Sequence, residues 1–350
     1  MIKKILFIRR DNIGDLICTT PAIHAARERF PQAKICALVN TYNAAALEGN
    51  PDIDGLYVYE KAKHSSKNKA SVIFGNMRLL MKIRREHFDV AIGCGSYSSR
   101  LERYTRLTGA AMRIGYIKEG TEGPKGYNAA LTESEGPLHE VERTFMLLSG
   151  LGINSAPPAM KVYPSAGEMK KVVVFMSSSG IKQPVIAFHI SSRKPDNRWP
   201  IDKFIELGRL VRSKLGADVM LLWSPGSEGN VYHPGDDEKA AAVTAALGPQ
   251  TAAYKTESLA ELIAALSASD LVVCCDGGAM HIAAALGKPV VTIWGSTSQD
   301  RWRPWGTDYV ILQDKTKKAG AVSVEDVFEG LKTVASRRSL IIRPVSDMLL

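Results

Sequence analysis

A chain of 350 residues, 45% hydrophobic and 23% charged, is long enough to bury two separate cores. Its best apolar run is broken by Asp276, His281 and Lys288, so it falls short of the roughly 20 residues a membrane span needs. The formal net charge of +9 suits an anionic partner such as a nucleotide, a nucleic acid or an acidic membrane surface, and the five cysteines, with no C-x-x-C pair and no histidine at zinc-ligand spacing, point to a reducing cytoplasm without disulfides or a bound metal.

In chain order, "KILFI" at 4–8 predicts a first strand and not a signal peptide, because charges follow it at once. A helix is expected from Pro21, capped by Thr20 and ended by Pro31, since Ile23, Ala26 and Phe30 share one face. Further strands are expected at 34–39, 56–59, 88–93 and 112–116, with helices between them and a helix over 139–153. The proline-rich stretch 154–168 reads as a linker. The pattern then restarts, with strands at 184–191, 218–224, 270–276, 289–295 and 308–314 and helices such as 201–216. Strands alternating with helices imply α/β architecture: two Rossmann-like, doubly wound domains facing a cleft, at 1–160 and 161–350, the last helix free to pack back on the first domain. Ligands in such folds sit outside the carboxyl ends of the strands.

Three loops at such ends carry polar groups. In "DGGAMHIAAALG", Gly277 and Gly278 admit close backbone approach and the following helix start offers N–H groups to an anion. Asp276 suits sugar hydroxyls and His281 a phosphate; equally, Asp276 reads as a helix cap and His281 as an interior histidine. In "RRDNIGDLICTTP", Gly14 permits a tight bend, and Asp11 and Asp15 bring carboxylates to the same rim. A carboxylate there suits a general base for an incoming hydroxyl, against the plainer reading of Asp15 as a cap. In "HISSRKPDNRWP", Ser191, Ser192, Lys194 and Arg198 suit a diphosphate. Neither a G-x-G-x-x-G nor a Walker fingerprint is present, which argues against a dehydrogenase or a P-loop kinase. Between 61 and 85 lie eight basic residues and no acidic one, ending in Lys82, Arg84 and Arg85 on an expected amphipathic helix. That run suits an anionic lipid surface or a phosphorylated acceptor, or else a solvated face. Nucleic acid fits less well, because aromatic residues are not interleaved with the charges.

The stretches "ILFIRRDNIGDLICTTPAIHAARERFP", "HEVERTFMLLSGLGI", "SRKPDNRWPIDKFIEL" and "DGGAMHIAAALGKPVVTIWGSTSQDRWRPWG" resemble the family-nine glycosyltransferases, the ADP-heptose:lipopolysaccharide heptosyltransferases, over nearly the whole chain. The resemblance implies a B-type glycosyltransferase fold, with the acceptor on the first domain and the nucleotide sugar mainly on the second. It implies inversion at the sugar without a metal or other cofactor, by an enzyme of the cytoplasm or the inner face of its membrane. By the same resemblance Asp15, behind Gly14, is the catalytic base. Asp276, Gly277, Gly278, Met280 and His281 grip the donor, Ser191 and Ser192 its phosphates, and Glu228 or Glu238 the ribose. Two positions depart from the family: Gly277 replaces a common Ser or Thr, and Asn197 replaces a Lys, leaving Lys194 or Arg198 to supply the charge. Two other classes share this architecture: a non-catalytic nucleotide-sugar or lipopolysaccharide-binding module, against which Asp15 argues, and a sugar-nucleotide epimerase, which needs no lipid acceptor.

Overall fold

The computed structural model describes residues 2–61, 68–120, 126–133, 136–229, 235–248 and 251–338. The chain divides into two compact units, the first ending at Lys161 and the second beginning at Val162.

In the first unit, strands β1 (Lys4–Ile8), β2 (Lys34–Asn40), β3 (Gly55–Tyr59), β4 (Val90–Gly93), β5 (Met112–Ile117) and β6 (Ala129–Thr132) form one sheet in the order β3-β2-β1-β4-β5-β6. Every neighbouring pair is parallel. Helices α1 (Ile13–Ile17), α2 (Thr20–Arg29), α3 (Lys69–Arg85), α4 (Ser99–Leu107) and α5 (Glu140–Met146) connect or flank the strands. The inner strands read as unbroken apolar runs because helices cover both faces of the sheet. On one face Leu6, Ile8, Leu38 and Ala91 pack with Ile83 of α3 and Leu101 of α4.

The second unit repeats the plan. Its helices are α6 (Ala166–Ser179), α7 (Ile201–Leu210), α8 (Asp237–Leu247), α9 (Leu259–Ala268), α10 (Gly278–Ala285), α11 (Gln299–Trp302) and α12 (Val324–Arg337). Strands β7 (Val185–His189), β8 (Asp218–Trp223), β9 (Thr251–Lys255), β10 (Leu271–Cys275), β11 (Val290–Trp294) and β12 (Tyr309–Gln313) form a sheet in the order β12-β11-β10-β7-β8-β9, again all parallel. Renumbered from its own start, this is the strand order of the first sheet. The order reverses between β1 and β4 in one unit and between β7 and β10 in the other, so each unit has a switch point where ligand crevices form. All five cysteines are buried. The last described helix, α12, packs on β11, β12 and α7 of its own unit; residues 339–350 lie outside the described residues.

Several expected boundaries shift. The strand expected at 88–93 begins only at Val90, because Asp89 turns its carboxylate back onto the backbone N–H groups of Lys3 and Lys4 (2.7 and 2.8 Å). The expected linker 154–168 already contains the first turn of α6. Helix α2 starts at Thr20, with Thr19 before it, because the Thr20 hydroxyl donates to the Ile17 carbonyl (2.8 Å) instead of capping. The helix expected at 139–153 is α-helical only to Met146 and tightens to 3₁₀ geometry over Leu147–Leu151.

Candidate functional site

The first polar cluster surrounds the carboxyl end of β1. Arg9, the residue after the strand, is only 2% exposed, and its Nη2 donates to Asp15 Oδ1 and to Glu140 Oε1, each at 2.7 Å. Asp11 Oδ2 approaches Arg9 Nε at 3.3 Å. Asp15 sits in the first turn of α1, and its Oδ2 accepts from the backbone and side-chain nitrogens of Asn12 at 3.1 and 2.9 Å. The carboxylate therefore is a cap and a partner of a buried guanidinium at once. A carboxylate offers about four lone-pair positions. Three are taken, so the position left open is on Oδ1, the oxygen that also faces Arg9.

Burial acts to raise the Asp15 pKa, but the charge and hydrogen bond of Arg9, with two hydrogen bonds from Asn12, bring it below the ordinary value. Burial, helped by Asp15, moves neighbouring Asp11 the other way, against the pull of Arg9. Burial opposes the charge on Arg9, yet Glu140, Asp15 and Asp11 hold it firmly protonated. Beside this cluster Arg10 stacks over the Tyr104 ring at 3.7 Å and the Tyr59 ring at 5.1 Å. Gly14 is buried within α1.

The second cluster lies at the switch point of the second unit. Asp276 follows β10, and its Oδ2 accepts from Asn197 Nδ2 at 2.8 Å and from the Thr297 hydroxyl at 2.6 Å. Burial raises its pKa against the opposing effects of Thr297, Lys194 and Asn197. Gly277 has φ +157° and ψ −164°, a region open essentially to glycine alone, and this bend starts α10 at Gly278 with its N–H groups at the strand end. A second glycine sets the position of Asn197: a Cβ on Gly295 would lie 2.3 Å from Asn197 Oδ1 and 2.5 Å from the Asp196 carbonyl. Only a residue without a side chain after β11 lets that loop close onto Asp276.

Around this core the expected donor residues divide. Ser191 Oγ accepts from the Ser224 N–H at 2.9 Å, and the Ser192 carbonyl accepts from Arg198 Nε at 2.9 Å. Arg198 also pairs with Glu228, which Lys239 holds from its other side at 2.7 Å. Hydrogen bonding to Lys239 is the first cause that keeps the Glu228 pKa low, with the charges of Lys239 and Arg198 adding to it. Arg198 is thus engaged with an acid, and Arg193 and Lys194 are the exposed cations of the loop. Glu238 is exposed on α8; residues 230–234, in the loop before it, lie outside the described residues. Met280 is fully buried, and His281, 4% exposed, sets its ring edge-on against Trp302 at 6.0 Å between centroids. Both side chains contribute to the interior of α10.

Lys82, Arg84 and Arg85 end α3 and are exposed, whereas Lys63 and Lys67 of the same basic run lie outside the described residues. Among the described residues, no group of three or more His, Cys, Asp or Glu side chains could hold a metal ion, and no helix is long and apolar enough to cross a membrane. Arg9, Asn12, Glu140 and Thr297 were not singled out from the sequence. Arg9 and Glu140 are 131 positions apart, and no local spacing links them.

The chain matches the description "Glycosyltransferase family 9 (heptosyltransferase)" over residues 76–332. It is 26% identical to lipopolysaccharide heptosyltransferase 3 of Escherichia coli K12, covering 83% of this chain and 82% of that one. A crystal structure of a family 9 glycosyl transferase from Veillonella parvula superposes with a TM-score of 0.80 at 21% identity, covering 96% of this chain and 97% of that one. The E. coli ADP-heptose lipopolysaccharide heptosyltransferase II superposes with a TM-score of 0.76 at 20% identity, covering 96% and 99%. The two parallel six-stranded sheets are those of the B-type glycosyltransferase fold, and the chain belongs to glycosyltransferase family 9, the heptosyltransferases.

Proposed function

We propose that this glycosyltransferase moves a heptose, or a closely related sugar, from an ADP-activated donor to the inner core of lipopolysaccharide with inversion at the anomeric carbon. The names of its relatives supply the substrate class. The observation that carries the mechanism is the Asp15 carboxylate, fixed at both oxygens with one lone-pair position open on Oδ1.

In this reading the acceptor hydroxyl gives its proton to Asp15 as its oxygen bonds to the anomeric carbon from the face opposite the diphosphate. The bond from that carbon to the diphosphate oxygen breaks, and ADP departs with the electron pair. Asp15 is kept ionised by Arg9, so it is ready as acceptor at neutral pH. Asp276 takes sugar hydroxyls on Oδ1, while Ser191, Ser192, Lys194 and the N–H groups at Gly277 and Gly278 receive the phosphates. The reaction runs without a resident cofactor. The acceptor's lipid anchor brings the enzyme, from the cytoplasmic side, to an anionic membrane surface that Lys82, Arg84 and Arg85 suit.

Asp15→Asn tests the reading. A general base is needed while the bond forms and hardly at all for donor binding, so kcat should fall about 10²–10⁴-fold with donor affinity unchanged. Asparagine caps a helix nearly as well as aspartate, so near-normal kcat in a folded variant would leave Asp15 a cap only.

A further inference from the structure

Helix α3 carries apolar side chains on its outer side as well as on the side that packs on the sheet. Of its 17 residues only Val72 and Ile83 are buried. Ile73, Phe74, Met77 and Met81 are 47–60% exposed. With 3.6 residues per turn, Phe74 and Met81 project directly away from the side that Val72 and Ile83 anchor, and Met77 and Ile73 lie next to them. Cations flank this apolar crest on both shoulders: Lys69 and Arg84 on one, Arg78, Lys82 and Arg85 on the other. The helix carries no acidic residue. Arg78 lies 5.8 Å over the Phe74 ring and Lys82 5.7 Å over the Tyr57 ring, so their stems already lie along apolar surface with the charge at the tip.

Two further observations extend the surface. A cavity of about 620 Å³ opens between α3 and the edge strand β3, lined by apolar Val58, Val72 and Leu79 and by the cations Arg78, Lys82 and Arg85, with Glu60 and Glu86 also in its wall. Neighbouring α4 adds exposed Arg100, Arg103 and Arg106, and the Arg84 stem lies against Gly109 just beyond it. Asn76 of α3 exchanges hydrogen bonds with the Glu60 backbone (3.1 and 2.8 Å), which ties the helix to the carboxyl end of β3. That is the end of the sheet on which Asp15 stands.

We infer that α3 is an in-plane membrane helix, with Phe74, Met77 and Met81 entering the acyl region of an anionic bilayer and the flanking Lys and Arg side chains on its lipid phosphates. A solvated basic face needs no apolar crest, and a crest without cations would not select an anionic surface; the combination is what an interfacial helix requires. The inference rests on the proposed action on a lipid-anchored acceptor and adds to its Lys82, Arg84 and Arg85 an apolar crest, Phe74, Met77 and Met81, that takes no part in the Asp15 or Asp276 clusters.

The experiment is co-sedimentation of the full chain with vesicles of phosphatidylethanolamine and phosphatidylglycerol, and with phosphatidylcholine alone, at low and high salt. These vesicles hold neither acceptor nor donor, so the outcome does not depend on the transferase reading. The wild type should bind the anionic vesicles, and part of the binding should survive high salt. Phe74→Ser/Met77→Ser/Met81→Ser should weaken it by about 30-fold or more at both salt concentrations, with the melting temperature and turnover of a water-soluble acceptor retained. Three results would overturn the inference: no binding of the wild type to anionic vesicles; equal binding of the triple variant, which would leave charge alone at work; or, without vesicles, a wild-type dimer that the triple variant reduces to a monomer, which would assign the crest to a second copy.

Discussion

Glu140→Gln separates a carboxylate that tunes the base from one that only fills space. Glu140 Oε1 and Asp15 Oδ1 both lie 2.7 Å from Arg9 Nη2, so the two oxygens are no more than about 5.4 Å apart. At an effective dielectric constant of about 20, two unit charges at that separation repel by about 3 kcal/mol, or roughly two pKa units. Glutamine keeps an oxygen for the guanidinium and removes the charge. Without that repulsion the ionised form of Asp15 is favoured further, so its pKa falls from a value that Arg9 already holds low. The acid limb of the kcat–pH profile should therefore move to lower pH by about one to two units. A base weakened by that much, with about half the loss expressed in the transition state, should turn over about 3–10-fold more slowly at neutral pH. The assay is kcat and donor KM measured across pH for wild type and variant. An acid limb that coincides with the wild type's, whatever the plateau, would refute the argument and leave Glu140 a structural partner of Arg9.

Other outcomes follow from burial and charge. His281→Ala removes an interior ring packed on Trp302, which should cost about 2–4 kcal/mol and lower the melting temperature by about 5–15 °C for a unit of this size; calorimetric loss of ADP affinity at an unchanged melting temperature would instead assign the ring to the ligand. Lys82→Glu/Arg84→Glu/Arg85→Glu should abolish the salt-sensitive part of anionic vesicle binding, because surface charges act within a Debye length, and sedimentation across a salt series reads this directly.

The fold was legible wherever burial leaves a continuous apolar run. Strands such as "KILFI" and "LVVCC" sit in the middle of their sheets, covered on both faces, and their composition records that environment. Strands β6, "AALT", and β9, "TAAYK", are edge strands with few β-branched residues and incomplete burial, so nothing local distinguishes them from loop. Helix α1 spans five residues, fewer than two turns, which is too short for a periodic pattern to register. Helix α3 was expected from its basic, amphipathic pattern, but the burial of Val72 and Ile83 with the exposure of Phe74, Met77 and Met81 is what shows which way its apolar residues point.

At the site, the sequence displayed the residues that local chemistry demands and hid those that meet through the fold. Asp15 and Asp276 stand out because each lies at a helix start beyond a strand, Asp15 in the first turn of α1 and Asp276 just before α10, where in a parallel sheet a carboxylate meets free N–H groups. Arg9 lies within the same motif, but its role depends on Glu140 arriving from 131 positions away, and Thr297 reaches Asp276 across 21. The departure at Asn197 shows the consequence. Read alone it is a lost positive charge; in the structure it is a buried amide that Gly295 lets approach within 2.8 Å of Asp276. Asp276 is thereby held by two neutral donors, an amide and a hydroxyl, instead of an ion pair. Under the proposed function that carboxylate takes the donor's hydroxyls without an ion pair of its own, and the exposed cations of the same loop, Arg193 and Lys194, stand outside the buried contact.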